Sequence, residues 1–407
     1  MNGSTKLLAP LVAATALAAC NAGGSSIVPG APGQNASLLR LPASAPRWMA
    51  NGLAKPACPM VTGVPTCLAL IESKGGLRPD IAGLAPIDFQ TRYNLPSSTN
   101  GSGQIVAIVD AHDNPKVASD LATYRTQFGL GTANFTKYNQ DGQTSNYPTG
   151  NTGWGVEIDL DVEMVSAACP LCTIYLIEAK HSRNRDLEAA EVTAVKLGAH
   201  IVSNSWICYG KNSCVKKRDF DQPGVVYTAG SGDAGYNDNG NPESLDSVVS
   251  VGGTRLTKSG SNYSESIWNG AGGGCSNNGS GTGIPKPSWQ KDPDCAYRTD
   301  ADIAAVADDV AEYDTYGGGG WFTVGGTSVA TPMIAAIFAL AGNASSQNAG
   351  ERFWSLKGNK RSHDIHYISS GSDGSCGGEY LCQAGTKQFQ TYSGPGGWGT
   401  PNGIGAF

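Results

Sequence analysis

The sequence predicts an α/β protein with a mostly parallel central sheet, helices on both of its faces, and disulfide bracing. Three observations carry this expectation. From about residue 86 onward, short β-branched runs alternate with stretches of helical spacing, the pitch of right-handed strand–helix–strand crossovers. The best of these runs are apolar on consecutive positions, as strands covered on both faces require. With Cys20 set aside, ten cysteines remain and fall into sequence-neighbour pairs, which an oxidising compartment would turn into disulfides.

Taken in order, the chain opens with "MNGSTKLLAPLVAATALAAC", one lysine followed by a short apolar run and small residues, the pattern of an export signal. It is too short to span a bilayer as an anchor. Its end, Leu17 to Cys20, is similar to the bacterial lipoprotein box, in which cleavage precedes the cysteine and lipid is attached to its sulfur. An ordinary signal peptide cut near the same place is the alternative. Cys20 is therefore the expected lipidation site, and the protein is expected to leave a bacterial cell, either anchored to the envelope by lipid or secreted. Residues 21–85 are rich in Ala, Pro, Gly and Ser and read as a tether and short pro-segment. The folded domain is expected over 86–407.

Within that domain "QIVAIVDA" (104–111) reads as a strand buried on both faces, and "DLATYRTQFGL" as a helix stopped by glycine. A helix near 156–168, the strand "TIYLIEA", the helix "RDLEAAEVTAVKLG" and the strands "HIVSNSW" and "GVVYTAGSGD" follow. Such sheets carry their chemistry at the carboxyl ends of strands. Three acidic features stand there: Asp110 closes one strand, Asp233 follows another, and a run beginning at Glu157 opens a helix. The cysteine pairs are Cys58 with Cys67, Cys169 with Cys172, Cys208 with Cys214, Cys275 with Cys295 and Cys376 with Cys382. Zinc is the alternative for "CPLC", but no second CxxC or HxxxH accompanies it.

The net charge of −6 and the lack of any basic cluster beyond "KKR" (216–218) argue against a nucleic-acid partner. The glycine loops "GGGCSNNGSGTG" and "YGGGGWFTVGG" lack the strand–loop–helix context of a phosphate cradle. No cofactor is expected, and the chain is expected to be a monomer that meets a membrane only through an N-terminal lipid.

The sharpest local signal is "GGTSVATPMIAAIFALAG" (325–342), small residues around a serine at the start of an apolar helical stretch. Small neighbours let a substrate backbone approach, and a helix start offers free N–H groups where an oxyanion would form. Ser328 is the candidate nucleophile, against the alternative of a helix cap. Its hydroxyl needs a base. The five histidines, 112, 181, 200, 363 and 366, lie in no suitable context: His200 reads as a packed strand residue and His112 as a loop residue after Asp110. Carboxylates are the substitute. In "VEIDLDVE" (156–163), residues four apart share a helix face, so Glu157 pairs with Asp161 while Asp159 and Glu163 lie about 200° around the axis. Glu157 could accept the serine proton and Asp161 orient it, leaving Asp159 and Glu163 as solvated or structural partners.

At these residues the sequence resembles the sedolisin, or serine-carboxyl peptidase, family. The matches are "VEIDLDVEMVSAACP", "AGSGDAG" around Asp233 and "GGTSVATP" around Ser328, supported by "RYNLP" (92–96), "SNSW" (203–206), "SVGGT" (250–254) and "GWGTPNG" (397–403). The resemblance implies a subtilisin-like three-layer fold and an endopeptidase acting on polypeptides. It implies that Glu157 is general base and later acid, that Asp161 holds it, and that Ser328 forms the acyl-enzyme. Asp233 would be a protonated donor to the oxyanion, which suggests action at acidic pH. Ser203, Asn204, Ser205 and Gly232 become substrate-binding candidates, and Asp110 a lining or structural residue. Two features depart from the family: only residues 21–85 are available for a propeptide, and a calcium site is matched at Asp364 and Ile365 but has Ser393 where its last acid is expected. No metal is therefore assigned. The rival readings are a subtilisin-like Ser-His-Asp hydrolase using Asp110, and a catalytically silent surface protein that keeps the fold for binding.

Overall fold

The computed structural model describes residues 54–72, 81–209, 214–276, 283–346, 350–386 and 391–407, all within one unit, Ser37–Phe407. The expected signal and Cys20 lie outside the described residues. The elements in chain order are β1 (Ala54–Pro56), β2 (Thr66–Cys67), β3 (Leu70–Glu72), α1 (Pro86–Arg92), β4 (Ile105–Ala111), α2 (Val117–Phe128), β5 (Asn134–Asn139) and α3 (Thr152–Ala168). They continue with β6 (Thr173–Ala179), α4 (Asn184–Lys196), β7 (Ile201–Asn204), β8 (Trp206–Ile207), β9 (Val226–Gly230), β10 (Val248–Ser259), β11 (Asn262–Ile267), β12 (Ile303–Val306), β13 (Val310–Asp314), β14 (Gly320–Gly325) and α5 (Thr327–Ala341).

The central sheet runs β11–β10–β9–β7–β4–β6–β5, with β12 also paired to β10. Every pairing in it is parallel except that of the edge strand β11. Alternation along β4 builds the layers: Val106 and Ile108 pack with residues of α2, α3 and α5, whereas Ala107, Val109 and Ala111 pack with Leu187, Ala190 and Ala194 of α4. The three-layer α/β expectation therefore holds. The five cysteine pairs are also as expected.

Local signals explain the element ends. Gly129, at φ +69°, caps α2 in the left-handed conformation that costs glycine nothing. The helix α3 begins at Thr152, earlier than expected, because the Asn151 side chain accepts the N–H groups of Gly153 and Trp154 at 3.0 and 3.1 Å. The acidic run thus occupies the middle of a helix buried from Trp154 to Ala168 rather than its first turn. No helix among the described residues is long and apolar enough to cross a membrane.

The boundary drawn at residue 86 needs correction. Residues 54–72, read as tether or pro-segment, are stitched into the domain. Thr66 and Cys67 pair with Ile207 and Trp206, and Leu70 and Ile71 pair with Gly325 and Val324. The strand β1 returns antiparallel along β3, giving a second sheet in the order β1–β3–β14–β13. Cys67, Leu68, Ala69 and Leu70 are all buried. Prolines and glycines around the short run "CLALIE" hid its strand character.

Candidate active site

The helix α3 places all four acids inside the protein, each with no exposed surface. The two faces inferred from spacing are real, but neither is solvated. On one side, Asp159 Oδ2 accepts from Asn114 Nδ2 at 2.6 Å and lies beside Asp120 and Asp314, while Glu163 accepts the Tyr313 N–H at 3.1 Å. Of the two expected roles, solvated or structural, the structure supports the second, because α3 is sandwiched between the sheet, α2 and β13. Burial first, and neighbouring carboxylates second, raise the pKa of both acids well above the usual range.

On the other side Glu157 and Asp161 stand together with Asp110, the last residue but one of β4. Burial and then the Asp110 charge push Glu157 well up, with the Ser328 hydroxyl and the Ala69 N–H partly offsetting this. Asp161 is raised by burial, Asp110 and Glu157, and its Oδ1 accepts from Ser205 Oγ at 2.7 Å. Asp110, with both carboxyl oxygens buried and unpartnered, is pushed up to about 8 by burial. Three carboxyls in one dry pocket cannot all ionise, so protons are shared among them.

Ser328 is the second residue of α5, behind the N-cap Gly326. Its Oγ is buried next to the Glu157 carboxyl. Asp233 sits in the loop after β9 and is fastened to the same helix start: its Oδ1 accepts the Thr327 N–H at 2.7 Å and Thr327 Oγ1 at 2.9 Å. Its Oδ2 is buried and free of partners, and burial raises its pKa well above the carboxylate range. Burial thus favours the neutral form of this carboxyl at the start of α5.

A strand of the protein itself passes between these groups. Leu68 N–H donates to Ser205 O at 3.1 Å and to Glu157 Oε2 at 2.8 Å, and Ala69 N–H donates to the same Oε2 at 2.7 Å. A Cβ on Gly326 would stand 2.2 Å from Leu68 O and 2.8 Å from Asp233 Oδ2, so the Leu68 carbonyl and the Asp233 carboxyl share one corner, open only because residue 326 lacks a side chain. With β2 paired to β8 on one side and β3 to β14 on the other, residues 66–71 fill an extended-peptide groove across the site. Sequence reading missed this segment and also Asp238. Asp238 Oδ2 accepts the N–H groups of Asp233 and Ala234 at 2.8 Å each, shaping the loop, and burial pushes the acid up to about 6.

The expected substrate-binding residues divide. Ser205 meets the groove through its carbonyl. Asn204 does not, because strand alternation turns it to the α4 face beside Glu191. Ser203 is buried with its hydroxyl unpartnered. Gly232, at φ +111°, shapes the loop: a Cβ there would stand 2.4 Å from Asp238 Oδ2.

The histidines are engaged elsewhere. His181 bonds Asp186, His200 bonds Gly224 O, His363 bonds Asp364 and His366 bonds Arg92 O, while His112 lies between Trp154 and His181. His200 is exposed rather than packed, because it precedes β7 instead of lying in it. Near the C-terminus the Asp364 carboxyl is occupied by the His363 ring, and among the described residues it belongs to no group of three acids able to share an ion.

No family profile matches the chain. It is 30% identical over 285 residues to kumamolisin from Bacillus sp. (strain MN-32), covering 62% of this chain and 51% of that protein. It is 26% identical over 357 residues to sedolisin from Pseudomonas sp. (strain 101), covering 77% of this chain and 59% of that protein. The chain thus spans between half and three fifths of the curated relatives it matches. The solved structure of Pseudomonas sedolisin, a serine-carboxyl proteinase complexed with pseudo-iodotyrostatin, superposes with a TM-score of 0.65 at 24% identity, covering 79% of this chain and 96% of that one. In sequence the chain is thus a distant relative of kumamolisin and sedolisin, and it shares the fold of the Pseudomonas sedolisin structure.

Proposed function

We propose that this protein is a serine-carboxyl endopeptidase that hydrolyses peptide bonds of polypeptides at acidic pH through a Ser328–Glu157–Asp161 triad. The observation that carries the reading is the convergence of Asp233 and of Glu157, the neighbour of Ser328, on one extended peptide at Leu68–Ala69. Ser328 Oγ attacks the carbonyl carbon while Glu157, as carboxylate, takes its proton. The oxyanion develops where Asp233 Oδ2–H can donate, at a helix start whose N–H groups add positive potential. Glu157 then protonates the departing amine nitrogen, the atom whose N–H it already accepts in this state. Water enters, gives its proton to Glu157 and releases the acyl group from Ser328. Asp161, fixed by Ser205, orients Glu157 and takes part in sharing the pocket's protons.

The pH window follows from these roles. Attack needs one negative charge in the Glu157–Asp161–Asp110 set and a proton on Asp233. Strong acid removes the charge, and rising pH first crowds the pocket with charge and then strips Asp233. We further propose export and lipid attachment at Cys20, with a monomer as the working form. Casein hydrolysis from pH 3 to 8 by the wild type and Ser328→Ala tests the activity: an acid-side maximum lost in the variant supports it, and Ser328-independent hydrolysis contradicts it.

A further inference from the structure

The face of α3 opposite Glu157 holds a second group of acids that the proposed reaction does not use. Asp159 and Glu163 lie four residues apart on that face, and β13 presents Glu312 and Asp314, which strand alternation puts on one side. Asp120 reaches in from α2. One carboxylate oxygen from each of Asp120, Asp159 and Asp314 lies within 4.8 Å of the other two. Ligands of a single calcium ion can stand that far apart, because Ca–O distances are about 2.3–2.6 Å. Neighbouring donors hold two of these acids in place. Asp120 Oδ2 accepts Thr315 N–H and Oγ1 at 2.9 Å each, and Asp314 Oδ2 accepts the N–H groups of Gly317 and Gly318 at 2.9 and 2.6 Å. A carboxylate has about four acceptor sites, so these bonds fix the acids without exhausting them.

A separate observation points to a bound cation. Glu312, outside that trio, is fully buried with neither oxygen partnered, and it stands beside Glu163, Asp314 and Asp159. Asp159 Oδ1 and Glu163 Oε1 are also buried without partners. Among the described residues no Lys, Arg or His forms an ion pair with any of the five acids. Acids so enclosed repel one another, and a cation or shared protons must offset that. Oxygen donors with no sulfur or imidazole among them suit a hard cation. Magnesium keeps several of its waters, so an enclosed cage of protein oxygens favours calcium.

We propose that Asp120, Asp159 and Asp314 form a calcium site between α2, α3 and β13, with Glu312 and Glu163 as the further acids facing the ion. Asp159 lies two residues from Glu157 on α3, and Asp314 ends β13, from which the chain runs through β14 to Gly326 and Ser328. The ion therefore ties the helix carrying Glu157 to the hairpin that leads to Ser328. It contacts neither residue, so the site holds its ion whether or not Ser328 cleaves peptides.

The test uses the full chain carrying Ser328→Ala, so that no self-cleavage intervenes, stripped with EDTA and titrated at pH 7 with calcium chloride by calorimetry, with magnesium chloride in parallel. One calcium per chain is expected, with a Kd below about 1 mM and magnesium at least about tenfold weaker. The thermal unfolding midpoint should rise with calcium, as binding to the folded state alone requires. Asp159→Asn and Glu312→Gln, each verified as folded by circular dichroism, should weaken calcium binding at least about tenfold. Asp364→Asn, far along the chain, should bind as its parent does. Terbium gives a reading that needs no variant: Tyr124, buried beside Glu163 and Glu312, should sensitise its emission, and calcium should abolish it by displacement. No calcium binding by the stripped parent, binding that Asp159→Asn and Glu312→Gln leave within twofold, or binding lost in Asp364→Asn each overturns the site. Magnesium bound as tightly as calcium overturns the choice of ion.

Discussion

Replacing Asp110 with asparagine should flatten the dependence of stability on pH. Asp110 carries no hydrogen bond on either oxygen, and burial lifts its pKa from 3.8 to about 8. In the unfolded chain the same group titrates near 4, so between about pH 4 and pH 8 the unfolded state sheds a proton that the folded state keeps. Stability from this group is fully present below pH 4 and is lost as pH rises towards 8. Four pH units at about 1.4 kcal/mol each set an upper limit of about 6 kcal/mol, and proton sharing with Glu157 and Asp161 brings the expected value to about 2–4 kcal/mol. Asparagine has no such proton. Its unsatisfied amide will lower stability at every pH, but this constant offset leaves the slope unaffected. Urea unfolding at pH 4, 6 and 7.5, in a Ser328→Ala background that prevents self-cleavage, measures it. The variant should lose less stability than its parent over this range. Parallel curves would refute the assignment of a proton to Asp110 in the folded state.

Other perturbations probe the site and its surroundings. Asp233→Ala should lower kcat by about 10²–10³ at pH 4, as expected for losing one oxyanion donor, whereas Asp233→Asn should retain more activity and lose the alkaline fall that Asp233 deprotonation imposes; pH–kcat profiles of the two decide this. Gly326→Ala would place a Cβ 2.2 Å from Leu68 O at φ +118°, so it should cost about 1–3 kcal/mol and expel the segment from the groove, read by urea unfolding and by protease susceptibility of residues 54–72. Cys20→Ala should shift the protein from the membrane fraction to the soluble exported fraction of cells; an unchanged distribution would remove the lipid anchor from the account.

Much of the fold was legible because buried parallel strands write themselves as continuous apolar runs: "TIYLIEA" is the strand Thr173–Ala179 residue for residue. The pairing of Glu157 with Asp161 was legible from helical spacing, and the cysteine pairs from their proximity in sequence. Burial was not. A run of four acids reads as a solvated face, and only packing against α2 and β13 shows that Asp159 and Glu163 are enclosed. The two short strands flanking Leu68–Ala69 were invisible for a different reason: they pair with residues more than a hundred positions away, and two or three residues carry no periodicity. Asn204 shows the same limit at one position. Its motif suggested the groove, but the strand's pleat turned it towards Glu191.

The central claim is that Glu157 does the work a histidine would do, and its test is kcat/KM at pH 4 on a peptide carrying Leu-Ala-Leu. Glu157→Gln, Ser328→Ala and the double variant should each fall by at least about 10³, the double no further than the singles, because the residues act as one unit. Glu157→Gln retaining activity within tenfold of its parent would contradict the account.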